Sequence, residues 1–223
     1  MAAGALALAT AFTAAPAPAH HVGTYTARDN ELSQNFKQLK AALRARKTDV
    51  ALRLFEDGAV RRTMRTDAAR LPAGIETGTR AALRAGDVAG AEALIVALMA
   101  ALARDMAVEA AAKARDAATS ADARRATAGR FLEAIWRYWN LIDFAVSQRD
   151  PKTAVAIRLA FDEAEGLAKT TNAPAAANPC SGPRPAGRRG SADPATLAAP
   201  FTRIGEHLAT VVETLSRSTR RAP

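Results

Sequence analysis

Apolar residues recur every three or four positions along most of this chain, and the alternating apolar–polar runs that make strands are nearly absent. Leu32, Phe36, Leu39 and Leu43 predict a first helix over about 30–46. Val50, Leu54 and Phe55 predict a second, with Thr48 or Asp49 as its cap. Gly58 reads as its interruption or end, because glycine tolerates the left-handed conformation used at helix C-termini. Leu71-Pro72-Ala73-Gly74 is a loop, and a third helix covers 75–85 and stops at Gly86. Asp87 then caps a fourth, marked by Leu94, Leu98, Leu102 and Met106 and followed by a polar Ala/Lys/Arg/Asp stretch.

Ser120 to Asp122 offers the next cap. The fifth helix is the clearest, with Phe131, Ile135, Trp139, Ile142 and Val146 in one stripe and Trp136 and Tyr138 at its flanks. Asp150-Pro151 starts a sixth, a cap followed by proline at the first helical position. It carries Val155 and Leu159 on one row and Ile157 and Phe161 on the adjoining one. Residues 170–192 are Pro/Ala/Gly-rich and read as a flexible linker, since they bury too little apolar surface to offset the entropy of ordering. A C-terminal helix over 193–218 follows, with Ile204, Leu208, Val211 and Leu215 in line, and a basic tail over 219–223. The pattern predicts an all-α fold: an antiparallel helical bundle of about six helices over 20–169, then the linker and a C-terminal helix folded back on it.

There is an internal echo. Ala41-Ala42-Leu43-Arg44-Ala45 leads to Asp49-Val50-Ala51, and Ala81-Ala82-Leu83-Arg84-Ala85 leads to Asp87-Val88-Ala89. Stacked helix pairs would write such a repeat. So would the chance likeness of Ala/Leu/Arg-rich helices.

The first nineteen residues differ from everything after them. Met1 to Ala15 is apolar and closes on Ala17-Pro18-Ala19, a small-x-small site of the kind signal peptidase cuts. The basic residues that normally precede such a core are missing, since none occurs before Arg28. The run is short, Ala-heavy and broken by Pro16 and Pro18, so a membrane anchor fits less well. The reading is a signal peptide over 1–19, a mature N-terminus at His20-His21, and a periplasmic or secreted protein.

Composition narrows the function only a little. The single Cys180 allows no internal disulfide, and it sits in the linker far from any histidine, which describes a bystander thiol. No Cys-x-x-Cys-His occurs, so covalent c-type haem is excluded. The net charge of +9 is mostly arginine and mostly interleaved with Asp and Glu. Only Arg184, Arg188 and Arg189 and the tail arginines lack that balance. A basic nucleic-acid or anionic-surface binder follows from the charge alone, but export argues against nucleic acid.

No phosphate loop, nucleophile motif or paired cysteines are present, and this argues against an enzyme. The sharpest chemical idea is a metal site. After cleavage the α-amine and imidazole of His20 would chelate one ion, with His21 or His207 completing the set. Amine and imidazole nitrogens suit Cu(II), and imidazole also suits iron. The competing reading is a mobile terminus without ligand geometry. His207 falls at the edge of the last helix's apolar face, where a packing role competes with ligation. Asp162 shares the face of Val155 and Leu159, which predicts partial burial and a bridge to Arg158 four residues earlier. Trp136, Tyr138 and Trp139 are core candidates first and a ligand-facing patch second.

The stretch from Ala85-Gly86-Asp87 through Arg130-Phe131-Leu132-Glu133-Ala134 to Gln148-Arg149-Asp150-Pro151 resembles helical periplasmic domains linked to bacterial iron uptake, the imelysin-like and iron-permease-associated bundles. Gly205-Glu206-His207 matches the first half of the imelysin signature Gly-x-His-x-x-Glu, while Thr210 stands where its glutamate belongs. The permease motif Arg-Glu-x-x-Glu is absent. The resemblance implies a metal-uptake accessory protein partnered by a membrane permease or another periplasmic protein. Three readings stand in order: a non-enzymatic exported binding or accessory protein, a copper- or iron-handling protein, and a basic surface binder.

Overall fold

The computed structural model describes residues 28–169 and 193–218, and among them all regular structure is α-helical. The helices are α1 (Glu31–Arg44), α2 (Thr48–Glu56), α3 (Ala59–Thr66), α4 (Ile75–Ala85), α5 (Val88–Arg115), α6 (Ala121–Arg149), α7 (Pro151–Lys169) and α8 (Pro194–Ser218). The predicted leader, linker and tail lie outside the described residues.

Most helix starts are those the polar residues dictate. Asn30 accepts from the Ser33 N–H at 2.8 Å and the Ser33 hydroxyl accepts from the Asn30 N–H at 2.9 Å, a reciprocal capping box. Asp87, Ser120 and Asp150 accept from the N–H groups of Gly90, Ala123 and Thr153. The start of α2 departs from the prediction. Thr48 and Asp49 are already helical, and Lys47 occupies the cap position without a side-chain hydrogen bond.

The predicted second helix is interrupted at Gly58 as expected, but Gly58 takes φ −91° instead of the left-handed conformation, α3 starts at once, and the cause is tertiary. The buried Asn35 of α1 reaches into the break, donating to the Leu54 carbonyl at 3.0 Å and accepting from the Val60 N–H at 2.9 Å. Those are backbone groups a helix end leaves unpaired. One carboxamide thus closes α2, opens α3 and ties both to α1.

The sequence echo corresponds to one shared turn. At the end of α4, Gly86 takes φ 71°, the Asp87 N–H donates to the Ala82 carbonyl at 2.9 Å, and the Gly86 N–H donates to Leu83 at 3.2 Å. At the end of α1, Arg46 takes φ 54°, and Lys47 and Arg46 make the same two bonds to Ala42 and Leu43. Both are Schellman closures; one has glycine at the left-handed position and the other has arginine.

The centre of α5 is buried on every side, from Ile95 through Ala101, as expected of an apolar helix without a polar face. Beyond Met106 the helix continues to Arg115, because Ala107, Ala110, Ala111 and Ala114 repeat on the inward face. Small residues let α8 lie close against it: a Cβ at Gly205 would stand 3.5 Å from Val108 and 3.8 Å from Ala107. Arg115 reaches Thr202 while Gly205 faces Val108, so α8 runs antiparallel to α5. With α6 and α7 these helices form a four-helix bundle, and α1 to α4 pack along one side of it.

On α7 only one of the two predicted rows is inside. Ala154, Ile157, Phe161 and Ala164 are buried, whereas Val155 and Leu159 are 49% and 63% exposed. The helix sits at the bundle's edge between α6 and α8, so its opposite face meets no other helix among the described residues. α8 runs unbroken through Pro200, and the Ile204, Leu208, Val211 and Leu215 stripe is buried against the bundle.

Candidate functional site

A cleft of about 720 Å³ lies between α3 and α5, walled at one end by the start of α1 and by Tyr138 of α6. Leu32, Ala59, Leu102 and Met106 supply its apolar surface. Its polar groups come from three helices because each turns an exposed edge inward: Glu31 from α1, Arg62, Thr63 and Thr66 from α3, and Asp105 and Glu109 one turn apart on α5. Asp67 and Arg70 complete it from the loop after α3.

Several of these charges are already matched. Arg62 grips Glu31, and Arg70 holds Asp67 at 2.7 Å with Asp105 at 4.0 Å. Asp105 is also bound by Arg104, whose guanidinium donates to the Arg70 carbonyl at 3.0 Å and fastens the loop to α5. Others are not. The side chains of Glu109, Thr63 and Thr66 make no hydrogen bond or ion pair among the described residues. Four carboxylates line the cleft against the guanidiniums of Arg62 and Arg70 and that of Arg104 on Asp105, an excess of one negative charge on a chain whose net charge is +9. Electrostatically it favours a cation over an anion.

Tyr138 stands at the back of the cleft, buried, with its hydroxyl accepting from Asn30 Nδ2 at 3.1 Å. The amide of Asn30 therefore does two things: its oxygen caps α1 and its nitrogen holds the phenol. The predicted aromatic patch is not a patch. Trp139 is 0% exposed in the core, and its indole Nε1 has no hydrogen-bond partner among the described residues. Trp136 lies on the α7 side, packed edge-to-face on Phe161 with ring centroids 5.5 Å apart. Of the three, only Tyr138 lines the cleft.

The predicted metal set is dispersed. His20 and His21 lie outside the described residues. His207 is half-buried on α8, and Thr210, in the place of the signature glutamate, turns its hydroxyl back to the Glu206 carbonyl at 3.2 Å. Asp162 is exposed, contrary to the expectation of partial burial. Its expected partner Arg158 binds Asp143 instead, at 2.7 Å, and also Ser147 at 2.8 Å. The physical reason is direction: Arg158 leaves α7 on the side of α6, and Asp162 leaves it outward. Among the described residues no group of three or more His, Cys, Asp or Glu side chains is placed to hold a metal ion.

Sequence reading missed the cleft because its lining comes from four helices and from charged residues that look like ordinary solvated faces. Asp105 and Glu109 at i, i+4, interrupting the apolar run of α5, were the available signal. Comparison with protein-family models, curated proteins and solved structures finds no match for this chain. None of the described helices is long and apolar enough to cross a membrane.

Proposed function

We propose that this chain is an exported, non-enzymatic binding or accessory protein that holds an amine-bearing ligand in the cleft between α3 and α5. Glu109 carries the reading: it is a carboxylate on the cleft wall that feels the charge of Arg70 but makes no ion pair among the described residues, one turn from Asp105, beside two threonine hydroxyls unpaired among them. A ligand ammonium would satisfy Glu109 while its methylenes cover Met106 and Leu102. Nothing in the cleft pairs a base with a nucleophile, which favours binding over turnover.

Isothermal calorimetry with spermidine as the probe tests this. Binding is expected to weaken with salt, since it is electrostatic, and about fivefold or more in Glu109→Gln. No binding, or binding unchanged in Glu109→Gln, would overturn the assignment. N-terminal sequencing from the native host tests the export half, with His20 expected as the first residue. Copper or iron handling through His20, His21 and His207 is the alternative. It requires Cu(II) binding by the processed chain that His20→Ala and His207→Ala each weaken.

A further inference from the structure

Lys152, Val155, Leu159 and Asp162 stand three, four and three residues apart on α7, and all four are exposed. That spacing is the seam of a coiled coil. Here the seam meets no helix among the described residues: Leu159 is 63% and Val155 49% exposed. Phe144 of α6 adds a third apolar group, 65% exposed, next to the Asp143 that holds Arg158. Surface apolar residues scattered singly need no explanation, but Val155 and Leu159 lie in line on one face of a single helix.

The order of charges along the seam says what covers it. Lys152 is at one end and Asp162 at the other, and neither side chain has an ion-pair or hydrogen-bond partner among the described residues. If a second α7 lies antiparallel with the two-fold axis at Ile157, Val155 meets the partner's Leu159 and Lys152 meets the partner's Asp162. Apolar groups meet apolar groups, and each charge meets its opposite, twice over by symmetry. Sliding the second helix by three residues sets Lys152 on the partner's Leu159 or Val155 on the partner's Asp162, and sliding it by four sets Val155 or Leu159 on its own copy but takes Lys152 off Asp162. Parallel pairing sets lysine on lysine and aspartate on aspartate. One register fits.

We infer that this face of α7 joins two copies of the chain in an antiparallel, isologous pair. The seam is one helix wide, so the association is of the weak, concentration-dependent kind. No residue of α7 lines the cleft, so the pairing leaves the proposed ligand site open.

Sedimentation equilibrium on the full chain over a hundredfold concentration range tests the pairing. The parent should move from monomer toward dimer. Asp162→Lys, an exposed change with no partner to lose among the described residues, should weaken dimerisation about tenfold or more, because it sets two cations against each other. The double variant Lys152→Asp with Asp162→Lys should restore it, since it merely exchanges the charges. A parent that stays monomeric, an Asp162→Lys variant that dimerises like the parent, or a folded double variant that is not restored would each overturn the proposal. A monomeric parent that instead sediments with phosphatidylglycerol vesicles would assign the face to a membrane surface and overturn it equally.

Discussion

The side chain of Asn35 occupies the space that a Cβ at Gly58 would need. Its amide sits there because the Leu54 carbonyl and the Val60 N–H both require a partner. Breaking a helix for one side chain stabilises only if both orphan groups are satisfied. Asn35→Ala is therefore expected to lose about 2–4 kcal/mol, the cost of two buried backbone groups left unpaired. Gly58→Ala should lose a comparable amount, since its Cβ would overlap the Leu54 carbonyl as well as the same amide. Denaturant unfolding checks both, and a loss below about 0.5 kcal/mol in either would show that the break does not depend on Asn35.

Arg46 and Gly86 close two helices by the same hydrogen bonds, and only one of them is a glycine. A left-handed conformation costs a residue with a Cβ about 1 kcal/mol. Arg46→Gly should gain roughly that amount and Gly86→Ala should lose it, read as opposite shifts of the unfolding midpoint.

Arg61 and Arg80 each bridge Glu56 and Glu76, fastening α2, α3 and α4 in a half-buried square. The hydrogen bond from Arg61 holds the Glu76 carboxyl below its ordinary pKa. The unfolded chain therefore takes up that proton more readily. The stabilisation is fully present above the ordinary carboxylate value and is lost as pH falls through the folded value. Asp150, held low by the Thr153 hydroxyl and N–H at the start of α7, acts in the same direction. Melting temperature should drop as pH is lowered from about 5 to 3, and Glu76→Gln should flatten that dependence. An unchanged slope in Glu76→Gln would contradict the assignment.

Asp143, not Asp162, is the partner of Arg158. Asp143→Asn should cost about 1 kcal/mol, since the pair is bidentate and partly shielded. Asp162→Asn should stay within about 0.5 kcal/mol of the parent. The reverse order in thermal unfolding would restore the sequence-based pairing.

The helices were legible wherever a cap and a stripe agreed, as at Asp87 with Leu94 and Leu98, or Ser120 with Ile135 and Trp139. Local chemistry decides both signals. What was not legible depended on direction in space. Gly58 looked like an end, but only Asn35 arriving from another helix explains why a new helix starts at once. Val155 and Ile157 look equally apolar in sequence, and only the placement of α7 at the bundle's edge decides which is buried. The cleft was invisible for the same reason. Tyr138 was singled out for its type and place, yet its neighbours Glu109, Thr63 and Asn30 come from elements that no spacing along the chain connects.

The cleft is the central claim, and a residue-resolved titration tests it most directly. Proton–nitrogen correlation spectra of the chain should shift on adding spermidine at Asn30, Glu31, Thr63, Thr66 and Glu109, with the α7 and α8 amides unmoved. Shifts absent from those five positions, or spread over the exposed acidic residues at large, would contradict a binding site between α3 and α5.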